Sequence, residues 1–229
     1  MHPWNMSVKA VLEPLSDKEN ATQMRAYLRD QFQFYGVRSP QRRDALKPLF
    51  SKNQLPHIKD VPSVCRELWS LPQREFQLVA VDLLIKHRKA LPALFLDEVE
   101  WLITTKSWWD TVDLLASHIV AAIFINYPEQ TALVIERWRK ADNMWLRRSA
   151  ILYQLKFKQN TDVQLLFEII KENQSDNEFF IQKATGWALR ELSKTDPATV
   201  ISFIKKQNIQ GLAKREGLKI VNKTCQWLL

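Results

Sequence analysis

The chain has 229 residues, 46% of them hydrophobic, and 33 Lys and Arg stand against 25 Asp and Glu for a net charge of +8. That is enough apolar mass for a substantial core, in one domain or one continuous repeat array over 1–229. Basic excess favours an anionic partner, nucleic acid first, although basic surfaces also occur on proteins with no such partner. Two cysteines, Cys65 and Cys225, exclude a disulfide framework, and four scattered histidines with no HExxH exclude a recognisable metal site. No basic n-region and apolar h-region open the sequence, so no signal peptide is expected. The most apolar stretch, LLASHIVAAIFI from Leu114, is too short to span a bilayer. A soluble, intracellular protein without membrane contact is expected.

Helix signals recur along the chain. Ser16-x-x-Glu19 resembles a capping box before an apolar run through Met24, Tyr27 and Leu28, with Gly36 as its end. Ser39-Pro40 opens a helix carrying Arg42, Arg43 and Lys47. Asp60 opens another, Leu71-Pro72 breaks it, and residues 74–86 form a largely apolar helix. Pro92 starts one with Leu94, Phe95, Val99 and Leu102 inward, and the helix bearing Trp109 follows to about Asn126. Pro128, Asp142, Thr161, the Ser175-x-x-Glu178 box and residues 195–197 start further helices, and a last one covers about 213–222. Only four glycines are present and no segment alternates with period two, so no strand is expected.

Aromatic or bulky residues open long helices at Arg74-Glu75-Phe76, Trp108-Trp109-Asp110, Met144-Trp145-Leu146 and Glu178-Phe179-Phe180. Each is followed by a shorter amphipathic helix, with a period of roughly 33 to 37 residues, near the range of helical solenoid repeats. One helix pair cannot bury both faces alone, whereas stacked pairs can. The fold expected is therefore an all-α solenoid with a concave surface, and a compact bundle would not explain the period.

The stretch KSWWDTVDLL at residues 106–115 concentrates the chemistry. Trp109 and Asp113 are four apart and share a helical face. A core face would take Leu at the acid position, because an unpaired buried carboxylate costs several kcal/mol. An indole beside a carboxylate suits a wall facing a sugar on which positive charge develops. From spacing alone, a core tryptophan with its aspartate in a structural ion pair is the commoner explanation. Lys183 and Trp187, and Trp187 and Arg190, also share a face, while only one of the adjacent Arg147 and Arg148 can look into a groove. Beyond Ile201, six basic residues including Lys214 and Arg215 face one acid, Glu216, which reads as a phosphate-contacting flank or an ordinary solvated helix. Trp108 is expected to point into the core, and Lys106 with Asp110 to form an exposed pair.

KSWWDTVD, DNMWLRRSAILYQLKFKQ, EFFIQKATGWALRE and AKREGLK together resemble the AlkD-like family of DNA alkylation-repair glycosylases, and ELWSLPQREFQ and GVRSPQRR also fit. The likeness covers nearly the whole chain. It implies a right-handed solenoid of HEAT-like antiparallel helix pairs with a concave basic groove. It also implies a monomer that removes N3- or N7-alkylated purines from double-stranded DNA and leaves an abasic site, without drawing the base into a pocket. Glycosylases in general do flip the base. Carried over by motif, Asp113, Trp109 and Trp187 are the residues set against the deoxyribose, and Arg148 is among those that hold the DNA backbone. Tyr27, Lys183, Arg190, Phe179, Lys214 and Arg215 are further DNA-contact candidates. No cofactor or metal is implied, and no lysine stands beside Asp113 as a Schiff-base nucleophile. A non-catalytic repeat protein binding branched or damaged DNA, and a protein-binding scaffold, are the other classes; the Trp–Asp–Trp set argues against both.

Overall fold

The computed structural model describes residues 1–225, the last two by backbone alone, so the expectation for Cys225 falls outside the described side chains. Among the described residues every regular element is helical, and an isolated bridge joins Gln33 and Gln73. The chain forms two compact units, Met1–Glu98 and Val99–Leu229.

The first unit holds α1 (Pro3–Leu12), α2 (Lys18–Tyr27), α3 (Ser39–Leu46), α4 (Val61–Ser70) and α5 (Arg74–His87). Its core gathers Val8, Leu12, Leu46, Val64, Leu68, Trp69, Phe76 and Val79. Asp17, one residue after the expected Ser16, caps α2 by accepting from the Asn20 amide at 2.9 Å. Gly36 does not end that helix, which stops at Tyr27. It sits in the following loop at φ +93°, where an added Cβ would meet the Asp17 carbonyl oxygen at 2.1 Å. The fully buried Glu75 carboxylate holds this loop by accepting from the amides of Tyr35, Gly36 and Val37 at 2.9 to 3.2 Å.

The unit boundary falls within α6 (Phe95–Thr104). Phe95, Val99 and Leu102 point inward as expected, but Leu94 precedes the helix and is 84% exposed. In the second unit, α7 (Trp109–Leu114) widens to a π-helix over Leu115–Val120 and narrows again as α8 (Ala121–Asn126). The apolar run from Leu114 is thus part of one 18-residue helix, more than half of it buried in the unit. There follow α9 (Glu129–Trp138), α10 (Met144–Leu152), α11 (Val163–Glu172), α12 (Phe179–Leu192), α13 (Pro197–Lys206), α14 (Gly211–Gly217) and α15 (Lys219–Cys225). Asn143, Asp162 and Asp196 cap α10, α11 and α13 through their side chains. Asn143 replaces the expected Asp142 because its oxygen reaches the Trp145 amide at 2.9 Å. Glu178 caps α12 with no side-chain bond, so the Ser175 box does not form. The helix expected over 213–222 breaks at Leu218.

The expected period is met with unusual regularity. Helices α3, α5, α7, α10 and α12 begin at 39, 74, 109, 144 and 179, in steps of 35 residues. Their followers α4, α6, α9, α11 and α13 begin at 61, 95, 129, 163 and 197, in steps of 34. The follower helices are joined by polar contacts: Arg66 with Glu98 at 2.7 Å in the first unit, and Glu100 with the Trp138 indole at 2.8 Å and Arg139 with Glu172 at 2.6 Å in the second. The series includes Ser39, which has no aromatic pair to mark it in the sequence.

Candidate active site

The site begins with a turn. Lys106 takes φ +49°, Trp108 is extended, and α7 starts at Trp109. Lys106 therefore lies before the helix, and its spacing from Asp110 is not a helical i,i+4 pair. Trp108 turns away from Trp109 and packs against Trp145 and Phe180, with ring centroids 5.8 and 5.1 Å away. Trp145 and Phe180 close the cluster at 4.9 Å. This aromatic floor ties the N-terminal ends of α7, α10 and α12 together.

On that floor lies a buried ion pair. Asp113 on α7 is 8% exposed and Arg148 on α10 is 3% exposed. Arg148 Nε donates to Asp113 Oδ1 at 2.7 Å and Nη2 donates to Oδ2 at 2.7 Å, a two-armed grip that fixes the carboxylate plane. The remaining arm, Nη1, donates to the Phe180 carbonyl at the start of α12. The two partners are 35 residues apart, one step of the repeat, so they occupy the same place on successive helices. Burial pushes the Asp113 carboxyl above the ordinary aspartate value; Arg148 pulls it back, Asp110 adds to the rise, and burial prevails. The π-helix begins two residues after Asp113, and Ser117 within it donates to the Asp113 main-chain carbonyl at 2.7 Å. Trp109, one turn before Asp113 on the same face, is half-buried.

Helix α12 supplies the next group. Trp187 is half-buried, and the Arg190 guanidinium lies 5.9 Å from its ring. Lys183 pairs with Glu216 of α14 at 3.0 Å and Arg190 pairs with the other carboxylate oxygen at 3.1 Å. The hydrogen bond from Lys183 holds the Glu216 carboxyl below its ordinary value, partial burial opposes, and the charges of Lys183, Lys219 and Arg190 add to the lowering. The two helices approach so closely that a Cβ at Gly186 would meet Glu216 Cβ at 2.6 Å and the Ala213 carbonyl at 2.9 Å.

The structure thus brings Asp113, Arg148 and the start of α12 into one hydrogen-bonded set, with Trp109 on the Asp113 face. Lys183, Trp187 and Arg190 share a face of α12. Phe179 is 46% exposed and rests edge-on against Phe180, and Lys214 and Arg215 are exposed on α14. Tyr27 belongs to the first unit, where it is 72% exposed at the end of α2. Arg148, expected among residues that hold the DNA backbone, is buried against Asp113. Arg147 instead donates to the carbonyls of Ala141 and Asp142 and pairs with Asp176 at 2.7 Å. Sequence reasoning missed the roles of Glu216 and the Phe180 carbonyl. The lone acid in a basic segment was the available signal for the first; nothing marks a carbonyl. Among the described residues no cluster of three His, Cys, Asp or Glu gathers as a metal site.

Residues 8–221 match the family described as DNA alkylation repair enzyme, and the chain belongs to that family. A solved structure described as a predicted DNA alkylation repair enzyme from Enterococcus faecalis is similar at 31% identity, over 89% of this chain and 95% of that one, with a TM-score of 0.81. A comparison with curated proteins finds no match.

Proposed function

We propose that the protein is a monofunctional DNA glycosylase that hydrolyses the N-glycosidic bond of N3- or N7-alkylated purines in duplex DNA, leaving an abasic site. The observation that carries this reading is the buried Asp113, gripped on two sides by Arg148 and one helical turn from a half-buried tryptophan. A carboxylate has roughly four lone-pair directions. Arg148 occupies one on each oxygen, which leaves acceptor capacity for a water or for charge on a sugar.

The chemistry needs little more. Alkylation at N3 or N7 makes the purine cationic, so it leaves as a neutral base with the electrons of the bond to C1′. No general acid is required. The sugar becomes oxocarbenium-like, and Asp113 stabilises that charge, orients the water that adds to C1′ and accepts the proton that this water gives up. The faces of Trp109 and Trp187 attract positive charge, each contributing ~0.5 to 2 kcal/mol according to desolvation. Lys183, Arg190, Lys214, Arg215 and Phe179 engage the duplex around the lesion, and Tyr27 of the first unit is a further DNA contact. Neutral purines are poor substrates in this scheme because nothing protonates them. The protein works as a monomer inside the cell, without a cofactor, and the steps of 35 and 34 residues support reading its helix pairs as HEAT-like repeats.

The test is release of N7-methylguanine from methylated duplex DNA. The native protein is expected to release it, and Asp113→Asn to lose about 10²-fold or more while still binding DNA, as for removal of one charge-stabilising group. Activity that survives the substitution removes Asp113 from the mechanism. No release by a native protein that binds DNA leaves a non-catalytic DNA-binding repeat protein.

A further inference from the structure

Between residues 201 and 223 Glu216 is the one acid among six Lys and Arg. On a face that grips phosphate an acid opposes binding, so its placement calls for another role. Its geometry supplies one. Glu216 projects from α14 where that helix packs tightly on α12, and glycine at 186 leaves room for its Cβ. One carboxylate oxygen takes Lys183 at 3.0 Å and the other takes Arg190 at 3.1 Å. Those cations stand seven residues apart on one face of α12, with Trp187 between them and Arg190 against the indole. The Glu216 side chain is 16% exposed and Arg190 23%, whereas Lys183 is 40% exposed, so the cluster is anchored at Glu216 and Arg190 with its lysine arm towards solvent.

We infer that Glu216 is a positioning residue: it holds Lys183 and Arg190 on either side of Trp187 and cancels one of their two charges. The phosphate grip of this face is thereby made directional at the expense of strength. The inference rests on the glycosylase reading for the use of Trp187, and its charge-balancing half is testable by binding alone.

The experiment compares native protein, Glu216→Gln and Glu216→Asp. Three quantities are read: affinity for an undamaged duplex as a function of salt, single-turnover release of N7-methylguanine, and melting temperature. Glu216→Gln frees one positive charge. Its log–log salt slope is expected to steepen by about 0.9, the equivalent of one phosphate contact. It should bind undamaged DNA several-fold more tightly at low salt and yet excise about tenfold more slowly, since an error of an ångström in position costs up to 10². Glu216→Asp keeps the charge and should keep the native slope, with excision between the two. In a Lys183→Gln/Arg190→Gln background, Glu216→Gln should slow excision no further, because neither cation remains for Glu216 to place. A native slope and native excision in Glu216→Gln overturn the inference. So does a parallel fall of binding, excision and melting temperature, which marks a merely structural pair. A native protein that binds DNA and excises nothing defeats the glycosylase reading while the slopes still decide the charge role; one that binds no DNA defeats both.

Discussion

Asp113 carries two demands that pull apart. As a buried group it resists ionisation, and as a partner of Arg148 it is held ionised. Burial prevails, so the carboxylate form, which is the active one in the proposed mechanism, is expected to be lost, as pH falls, at a value above the ordinary 3.8. The acid limb of the excision rate should lie correspondingly high. Replacing Arg148 with Gln removes the main lowering influence and should move that limb further up; a limb that stays in place would detach Asp113 from the rate. The same substitution leaves a buried carboxylate unpaired, which typically costs ~3–5 kcal/mol of stability. Asp113→Asn with Arg148→Gln should cost less than the two single changes summed, measured by denaturant unfolding. The Trp109–Asp113 spacing was readable before the fold was known. The partner was not, because it lies 35 residues away, and spacing alone said only that one of Arg147 and Arg148 looks into a groove; Arg148 turns to Asp113, while Arg147 is anchored to the 141–142 turn and Asp176.

At the scale of elements, helices were legible and their ends were less so. Ser16 and Asp142 both yield to a neighbour, since the cap goes to whichever side-chain oxygen reaches the free amides of the first turn. Leu94 was assigned inward by periodicity, but the helix begins after it. Two glycines show what packing decides. Gly186 is a point of close contact between α12 and α14, and Gly186→Ala must push Glu216 and the Ala213 carbonyl away from α12. We expect a loss of about 1–3 kcal/mol, the usual cost of overpacking, together with weaker pairing of Glu216 to Lys183 and Arg190. An unchanged melting temperature would show that α14 yields freely. Gly36→Ala adds a left-handed φ to a contact with backbone at 2.1 Å and should be the more damaging of the two. The sequence showed a glycine at each place; only the neighbouring chain shows why.

Over the whole molecule, the net charge of +8 and membership of the DNA alkylation repair enzyme family point the same way. Duplex binding should weaken linearly on a log–log plot against salt, with a slope of about 0.9 per phosphate contact. A salt-insensitive interaction would argue that the basic surface is not the contact. By itself the sequence determined the helical class, the repeat period and the Trp109–Asp113 face. Each of these is written in spacings within one helix or in a regular recurrence of helices, and local periodicity survives without knowledge of tertiary contacts. Only the tertiary structure decided that Arg148 grips Asp113, that the Phe180 carbonyl steadies Arg148, and that Glu216 joins Lys183 to Arg190. Those contacts link residues 26 to 35 positions apart on different helices, and which side chains meet depends on how the helices are rotated and stacked, which no single segment encodes.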